Sequence, residues 1–365
     1  MSSLPALDVA PRAGSVRAEL EQQKLDALVV TDLSNVRWLT GFTGSNATVV
    51  VRSDALVLLT DGRYGDQAPA QAAAVGADIE VLVGVASDRD QMVAALAGAS
   101  RVGLEADSVS WSRQRILAEW CEPAELVATS GLVGVFRQVK DDAELARLEA
   151  AAAIADAALA AVMGRLVDGP SERQFARELE TAMLVRGASG PSFETIVASG
   201  PNGALPHARP SDRVVGMGEL VVVDFGALVD GYHSDMTRTV GVGDLDDRSV
   251  RMLDVVEAAQ AAGRATVAAG VATIDVDRAC RGVIGEAGWA DAFAHGTGHG
   301  VGLDIHEAPW VGARSEAELM AGNVVTVEPG VYLAGHGGVR IEDTVVVTAD
   351  GCRSITHSPR RPVVG

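Results

Sequence analysis

Apolar and polar positions alternate along the first third of the chain in short blocks of changing period. Residues 16–23, with Leu20 among them, follow a helical spacing, residues 25–30 are an apolar run of strand length, and residues 47–51 and 55–60 alternate about a turn at Ser53-Asp54. A helical pattern over 88–97, a strand over 101–105 and a helix over 110–120 follow, which predicts an α/β N-terminal domain over residues 1–131. Residues 132–144 read as a charged linker. From Leu145 onward, Leu148, Ala152, Ala155, Leu159, Val162 and Leu166 recur at spacings that keep one helical face apolar. A long helix therefore opens a second, α+β domain, residues 145–365. The run from Asp168 through Gly169, Pro170 and Ser171 to Glu172 ends that helix and starts another over 172–186, with Ser171 as its N-cap. Strands and glycine-rich turns dominate thereafter, apart from an alanine-rich helical pair between Val250 and Gly288.

With 365 residues, 48% of them hydrophobic and 22% charged, the chain can bury two cores, and the composition excludes disorder. Thirty basic against 49 acidic residues give a net charge of −19, with no basic run, so neither nucleic acid nor a membrane is expected as a partner. Cys121, Cys280 and Cys352 are widely spaced, which argues against a disulfide framework and against a thiolate metal site. Residues 1–15 lack an apolar stretch of signal-peptide length, and about 18 uncharged apolar residues never follow one another. A cytoplasmic location is expected.

Four of the seven histidines fall in two glycine-rich stretches, His207 in residues 199–210 and His295, His299 and His306 in residues 295–307. Near them, carboxylates interrupt apolar strand patterns. A two-residue turn at Asp230-Gly231 pairs Val229 with Tyr232, and hence Gly226 with Asp235, which makes Asp224 a diagonal same-face neighbour of Asp235. Glu328 closes an apolar strand before Pro329-Gly330, and Glu342 interrupts another, sharing a face with Arg340 and Thr344 by period-two alternation. The bland readings are that Asp235 pairs with Arg238 and that one of the glutamates pairs with Arg340. The i, i+4 spacing of His295 and His299 imitates a zinc-protease helix, but glycine at 296, 298, 300 and 302 would cost about 1 kcal/mol each in a helix, so the stretch is extended or loop-like. Buried anions that converge repel unless a cation sits between them or one stays protonated. Four carboxylates and an imidazole suit two divalent ions, Mn²⁺ or Co²⁺ before Zn²⁺, and a water bridging such ions ionises readily to a nucleophile.

These stretches resemble the pita-bread metallopeptidases, a family that includes Xaa-Pro aminopeptidase, prolidase, methionine aminopeptidase and creatinase. The resemblance rests on residues 35–46 and 60–64, on 199–207, 223–226, 234–239 and 295–307, and on 326–330 and 339–343. It implies that Asp224, Asp235, His299, Glu328 and Glu342 ligate two metal ions, with Asp235 and Glu342 bridging. It further implies that His207 and His306 act near the scissile carbonyl, that Glu328 doubles as acid/base, that His295 lines the specificity pocket and that Arg340 supports the network. Proline-containing peptides are the implied substrates and a homodimer the implied assembly, with residues 38–46 as a loop-like, partly aromatic lid. One departure concerns substrate length. In several dipeptidases of the family an arginine after His-Glu-x-Pro grips the terminal carboxylate, whereas Trp310 stands there in this chain, with Arg314 the nearest substitute. Xaa-Pro aminopeptidase and Xaa-Pro dipeptidase both stay open, the balance leaning to the former. The rival reading is a metal-free pita-bread module that binds peptides or protein partners without hydrolysis.

Overall fold

The alternation at the start of the chain is realised as a mixed sheet. In the computed structural model, which describes residues 4–84 and 88–365, the chain divides into two compact units between Arg137 and Gln138. Residues 1–3 of the leading segment and residues 85–87 lie outside the described residues. The first unit runs α1 (Ala10–Gln22), β1 (Ala27–Val30), α2 (Leu33–Thr40), β2 (Ala47–Arg52), β3 (Leu56–Asp61), α3 (Gln67–Ala74), β4 (Glu80–Gly84), α4 (Asp88–Ala95), β5 (Arg101–Glu105), α5 (Trp111–Cys121), β6 (Glu125–Thr129) and α6 (Gly134–Arg137). Its strands lie in the order β4-β3-β2-β1-β5-β6, antiparallel from β3 to β1 and parallel at both flanks. Ala27, Val29, Val50, Val57, Leu59, Leu104 and Leu117 pack its core.

Two expectations for this unit are corrected. Residues 38–46 do not form one loop, because Asp32 caps α2 by accepting from the Asn35 N–H at 3.0 Å and the helix runs to Thr40 before Gly41, at φ +69°, ends it. Trp38 is buried there under the Arg12 guanidinium, 5.0 Å from the ring centre. Residues 132–144 are not a free linker either. Arg137, buried at the end of α6, donates to Asn35 Oδ1 at 2.8 Å, whereas Val139 bridges to Asn323 and the Lys140 N–H donates to the Gly322 carbonyl in the second unit. The chain passes from one unit to the other with its backbone already bonded on each side.

The second unit opens with α7 (Asp142–Val162) and α8 (Glu172–Val185), each started by a capping box, at Asp141/Glu144 and Ser171/Gln174. With the turn that follows it, α7 has the length and composition of a membrane-crossing helix. Its apolar face, from Leu148 to Leu159, is nevertheless buried within the unit, and Asp156 in its middle accepts from the His357 and Ser358 N–H groups at 2.8 and 2.7 Å. Strands β7 (Gly190–Pro191), β8 (Ile196–Ser199), β9 (Glu219–Phe225), β10 (Ala227–Val229), β11 (Tyr232–His233) and β12 (Met236–Val242) follow. Then come α9 (Asp247–Thr266), α10 (Thr273–Glu286), β13 (Gly298–Gly300), β14 (Glu307–Val311), β15 (Val324–Val327), β16 (Gly330–Leu333), β17 (Gly337–Arg340), β18 (Asp343–Val347), β19 (Cys352–Ser354) and β20 (Val363–Val364). They form sheets β11-β10-β7, β20-β12-β9-β8, β14-β13-β15-β18-β19 and β16-β17. Val256, Ala259, Val276, Cys280 and Ile284 of α9 and α10 pack on Val325, Val327, Val339 and Val345.

Candidate metal centre

The acidic residues meet because the hairpin register carries through a break. Val229 pairs with Tyr232 across the Asp230-Gly231 turn, and the same register brings Phe225 opposite Met236 and Asp224 opposite Thr237. Asp224 sits near the end of β9 and Asp235 just before β12. Glu342 reaches them from elsewhere, since the chain leaves the β16-β17 sheet at Arg340 and enters the five-stranded sheet at Asp343. The expectation that Arg340, Glu342 and Thr344 share one strand face is thereby corrected: Glu342 lies at a sheet switch, not inside a strand. Its N–H donates to the Thr237 carbonyl at 3.1 Å and its Oε2 accepts from the Thr237 hydroxyl at 2.7 Å. One carboxylate oxygen from each of Asp224, Asp235 and Glu342 lies within 4.8 Å of the others.

His299 and Glu328 complete the cluster. The His299 Nε2 stands 3.6 Å from Asp235 Oδ2 and 3.4 Å from Glu328 Oε1, while Nδ1–H donates to the Gly300 carbonyl at 3.0 Å and leaves Nε2 as a free acceptor. His299 is wedged between two strands: a β-carbon on Gly298 would collide with the Thr326 carbonyl and one on Gly300 with the Ala308 carbonyl. This close approach, rather than a left-handed backbone, requires the flanking glycines.

Arg340 braces the acidic side. Buried, it donates to Asp224 Oδ2 at 2.6 Å, the Thr237 hydroxyl at 2.9 Å, the Tyr332 hydroxyl at 2.8 Å and the Pro206 carbonyl at 3.2 Å. Its carboxylate partner is thus Asp224 rather than a glutamate, and Arg238 bonds Asp343 rather than Asp235. Tyr332, accepting from Arg340, gives its own proton to His295 Nε2 at 2.8 Å, so His295 keeps its proton on Nδ1, facing the Gly296 carbonyl at 2.7 Å. Burial, followed by the nearby Arg340 charge, drives the His295 imidazolium down to about 4. Arg281 of α10 donates to the Phe293 carbonyl at 3.0 Å and Asp277 accepts from the Thr297 hydroxyl at 2.8 Å, which fixes the loop carrying His295.

The electrostatics are those of a cage short of positive charge. Burial, and then the facing carboxylates, raise Asp235 and Glu342 well above the carboxylate range, and burial pushes Glu328 up to about 7. Burial also disfavours the His299 and His306 cations. Asp224 Oδ1 and Glu342 Oε1 are buried without any hydrogen-bond partner. Orphaned buried oxygens facing other carboxylates, beside an imidazole nitrogen held bare, fit divalent metal ions bound among Asp224, Asp235, His299, Glu328 and Glu342.

A cavity of about 560 Å³ opens over the cage, lined by His207, His295, His306, Phe193, Ile305 and Trp310 among others. The His306 ring meets that of His299 edge-on at 4.3 Å between centres, and Trp310 is 6.3 Å from His299. His207 lies on a loop fastened by Glu172, whose carboxylate accepts from the Ser199 N–H at 2.7 Å, the Ser211 N–H at 3.0 Å and both hydroxyls. Burial opposes the charge on Glu172, and these donors outweigh it, holding its carboxyl below the usual range. Arg314 is not among the residues that line the cavity. It is exposed in a turn closed by Ser315 N–H to the Gly312 carbonyl, beyond the end of β14, and the cavity wall instead contains Arg209. Sequence reasoning passed over Tyr332, Thr237, Glu172 and Arg209. Tyr332 sits in a run of apolar strand residues, and the other three depend on loop contacts that no periodicity reports.

A buried carboxylate and imidazole cage at the floor of an open cavity is the arrangement of a metallohydrolase. Residues 146–349 match metallopeptidase family M24, and residues 12–139 match the creatinase/prolidase N-terminal domain. The chain belongs to metallopeptidase family M24 and has the pita-bread fold, and that family implies divalent metal ions. Over 343 residues it is 40% identical to an uncharacterized peptidase, YqhT, of Bacillus subtilis, covering 94% of this chain and 97% of that one. Among solved structures it is similar to an Xaa-Pro dipeptidase from Bacillus anthracis, with TM-score 0.94, 37% identity, and 98% and 100% of the two chains covered. An X-Pro aminopeptidase from Thermotoga maritima superimposes with TM-score 0.85 at 32% identity, covering 95% and 100%.

Proposed function

We propose that the chain is a metal-dependent exopeptidase that hydrolyses the Xaa-Pro bond at the N-terminus of peptides, using two divalent ions, Mn²⁺ or Co²⁺ before Zn²⁺. The observation that carries the reading is the convergence of four carboxylates and the bare Nε2 of His299 beneath a cavity walled by three further histidines. When bound, such ions supply charge neutralisation and a water of lowered pKa. Glu328, at the open end of β15, takes the proton of the attacking water and passes it toward the leaving nitrogen. Arg340 holds Asp224 in place and, through the Pro206 carbonyl, ties the His207 loop to the cage. His207 and His306 face the cavity, where an N–H from either ring stabilises negative charge developing on the scissile carbonyl oxygen.

Proline lacks an amide N–H, so its ring has to be recognised by shape. Phe193, Ile196, Ile305 and Trp310, with the neutral ring of His295, offer the apolar wall for it. The test is hydrolysis of Ala-Pro, Ala-Ala and N-acetyl-Ala-Pro by protein reconstituted with Mn²⁺ or Co²⁺, alongside metal analysis. Cleavage of Ala-Pro with little turnover of the other two, and about two ions per chain, is expected. Equal turnover of Ala-Pro and Ala-Ala would overturn the proline reading. Absence of bound metal after reconstitution would favour the non-hydrolytic binding module.

A further inference from the structure

The acidic floor of the cavity raises a question of charge for any substrate that carries a free carboxylate. A dipeptide substrate carries a carboxylate two bonds from the scissile nitrogen, and that anion has to enter a cavity whose floor is acidic. A cation is needed beside the groups that handle the scissile carbonyl. Among the described residues lining the cavity there are two guanidinium groups. Arg340 is buried, and its donors are committed to Asp224, Thr237, Tyr332 and the Pro206 carbonyl. Arg209 is different in each respect. Its side chain is 81% exposed and its ion-pair partner among the described residues is Glu194, 65% exposed, at 3.3 Å. Such a solvated pair is weak, and it leaves most of the planar donor fork free.

Placement adds to availability. Arg209 stands two residues after His207, and both side chains line the cavity while Ala208 between them is buried. Glu172 anchors this loop through Ser199 and Ser211, and Gly338 of β17 lies so close to it that a β-carbon there would collide with the Gly203 carbonyl. The backbone under Arg209 is therefore fixed although its side chain is solvated.

We propose that Arg209 receives the free α-carboxylate of the departing residue, exchanging Glu194 for it, and thereby sets a preference for Xaa-Pro dipeptides over longer or C-terminally blocked peptides. This rests on the exopeptidase reading above. Glu194 has two consequences in this arrangement. It holds Arg209 over the cavity when no substrate is bound, and it competes with the substrate carboxylate for the same donors. Removing the arginine and removing its partner are thus expected to act with opposite signs.

The experiment uses the full-length, Mn²⁺-reconstituted protein with Ala-Pro, Ala-Pro-amide and Ala-Pro-Ala. Arg209→Ala is expected to raise KM for Ala-Pro by about ten- to hundredfold, the loss of a charge-assisted bidentate contact, with kcat and metal content nearly unchanged and Ala-Pro-amide unaffected. Arg209→Lys recovers part of the loss, since a lysine offers charge without the fork. Glu194→Gln is expected to lower KM for Ala-Pro by about two- to threefold. A KM for Ala-Pro unchanged in Arg209→Ala, or raised equally for Ala-Pro and its amide, would overturn this proposal and leave the exopeptidase reading standing. Wild-type protein that binds metal yet cleaves none of the three peptides would overturn both.

Discussion

Glu342 and Asp343 follow one another in the chain, are both buried, and have opposite surroundings. Asp343 accepts from Arg238 at 2.9 Å, from Arg360 at 2.7 Å and from the Gln260 amide at 3.0 Å, with Arg264 at 3.6 Å. Burial opposes its charge, and the three arginines outweigh burial and hold its carboxyl below the usual range. Glu342 accepts one hydroxyl, keeps one oxygen bare and faces Asp224, Asp235 and Glu328, so burial and then these carboxylates drive its carboxyl the other way. One acid has its counter-charges in the chain. The other, in the proposed reading, takes them from solution. The switch between sheets at Ile341 makes this difference available, because it turns Glu342 toward the cage while Asp343 begins β18 on the side packed by Arg238, Arg264 and Gln260.

The contrast can be broken at several points, and the largest effect is expected at the cage. Glu328→Gln conserves volume but removes both a ligand charge and the proposed base, so kcat is expected to fall by at least about 10²–10⁴-fold in a protein that still folds. Retention of more than about a tenth of wild-type activity in a direct assay would deny Glu328 both roles. On the structural side, Asp343→Asn leaves three arginines facing a neutral amide and is expected to cost about 3–5 kcal/mol in urea denaturation. A cost under about 1 kcal/mol would mean that Arg238 is held by its carbonyl partners instead.

His207→Ala and His306→Ala sharpen the division between holding metal and handling the scissile group. Each is expected to lower kcat by roughly 10²-fold with metal content intact, and loss of metal from either would move that histidine into the ligand set. The smallest effect is the most discriminating. In protein stripped of metal by chelation, Asp235→Asn relieves repulsion among the carboxylates, and stability is expected to rise by about 1 kcal/mol, whereas every change at Asp343 lowers it. A metal-free Asp235→Asn variant less stable than metal-free wild type would remove the electrostatic basis of the comparison.

How much of this could be read from the chain depends on whether a residue is placed by local periodicity. The Asp230-Gly231 turn fixed the register that sets Asp224 near Asp235, and a glycine on each side of His299 excluded a helix, so both features were legible. Ser171 as a cap and the apolar face of α7 were legible for the same reason. Glu342 was found as an anomaly in an apolar run, but its partners were not, because a sheet switch has no period. The short α2 escaped because eight residues give barely two turns of pattern. Arg314 was singled out by its short distance along the sequence from Trp310, whereas the cavity brings together residues about a hundred positions apart.

The Ser358 carbonyl accepts from Arg238 at 3.0 and 2.9 Å, and the same arginine bonds the Glu342 carbonyl and Asp343. Asp156 of α7 grips the Ser358 N–H and hydroxyl at 2.7 and 2.6 Å. During translation, every candidate ligand leaves the ribosome before this segment does. A nascent chain ending near Thr356 therefore contains the whole acidic cluster but lacks the backing that Ser358 and Arg360 give Arg238 and Asp343. This backing follows every candidate ligand along the chain, so a nascent chain can hold the whole acidic cluster before Arg238 and Asp343 gain the partners that brace them.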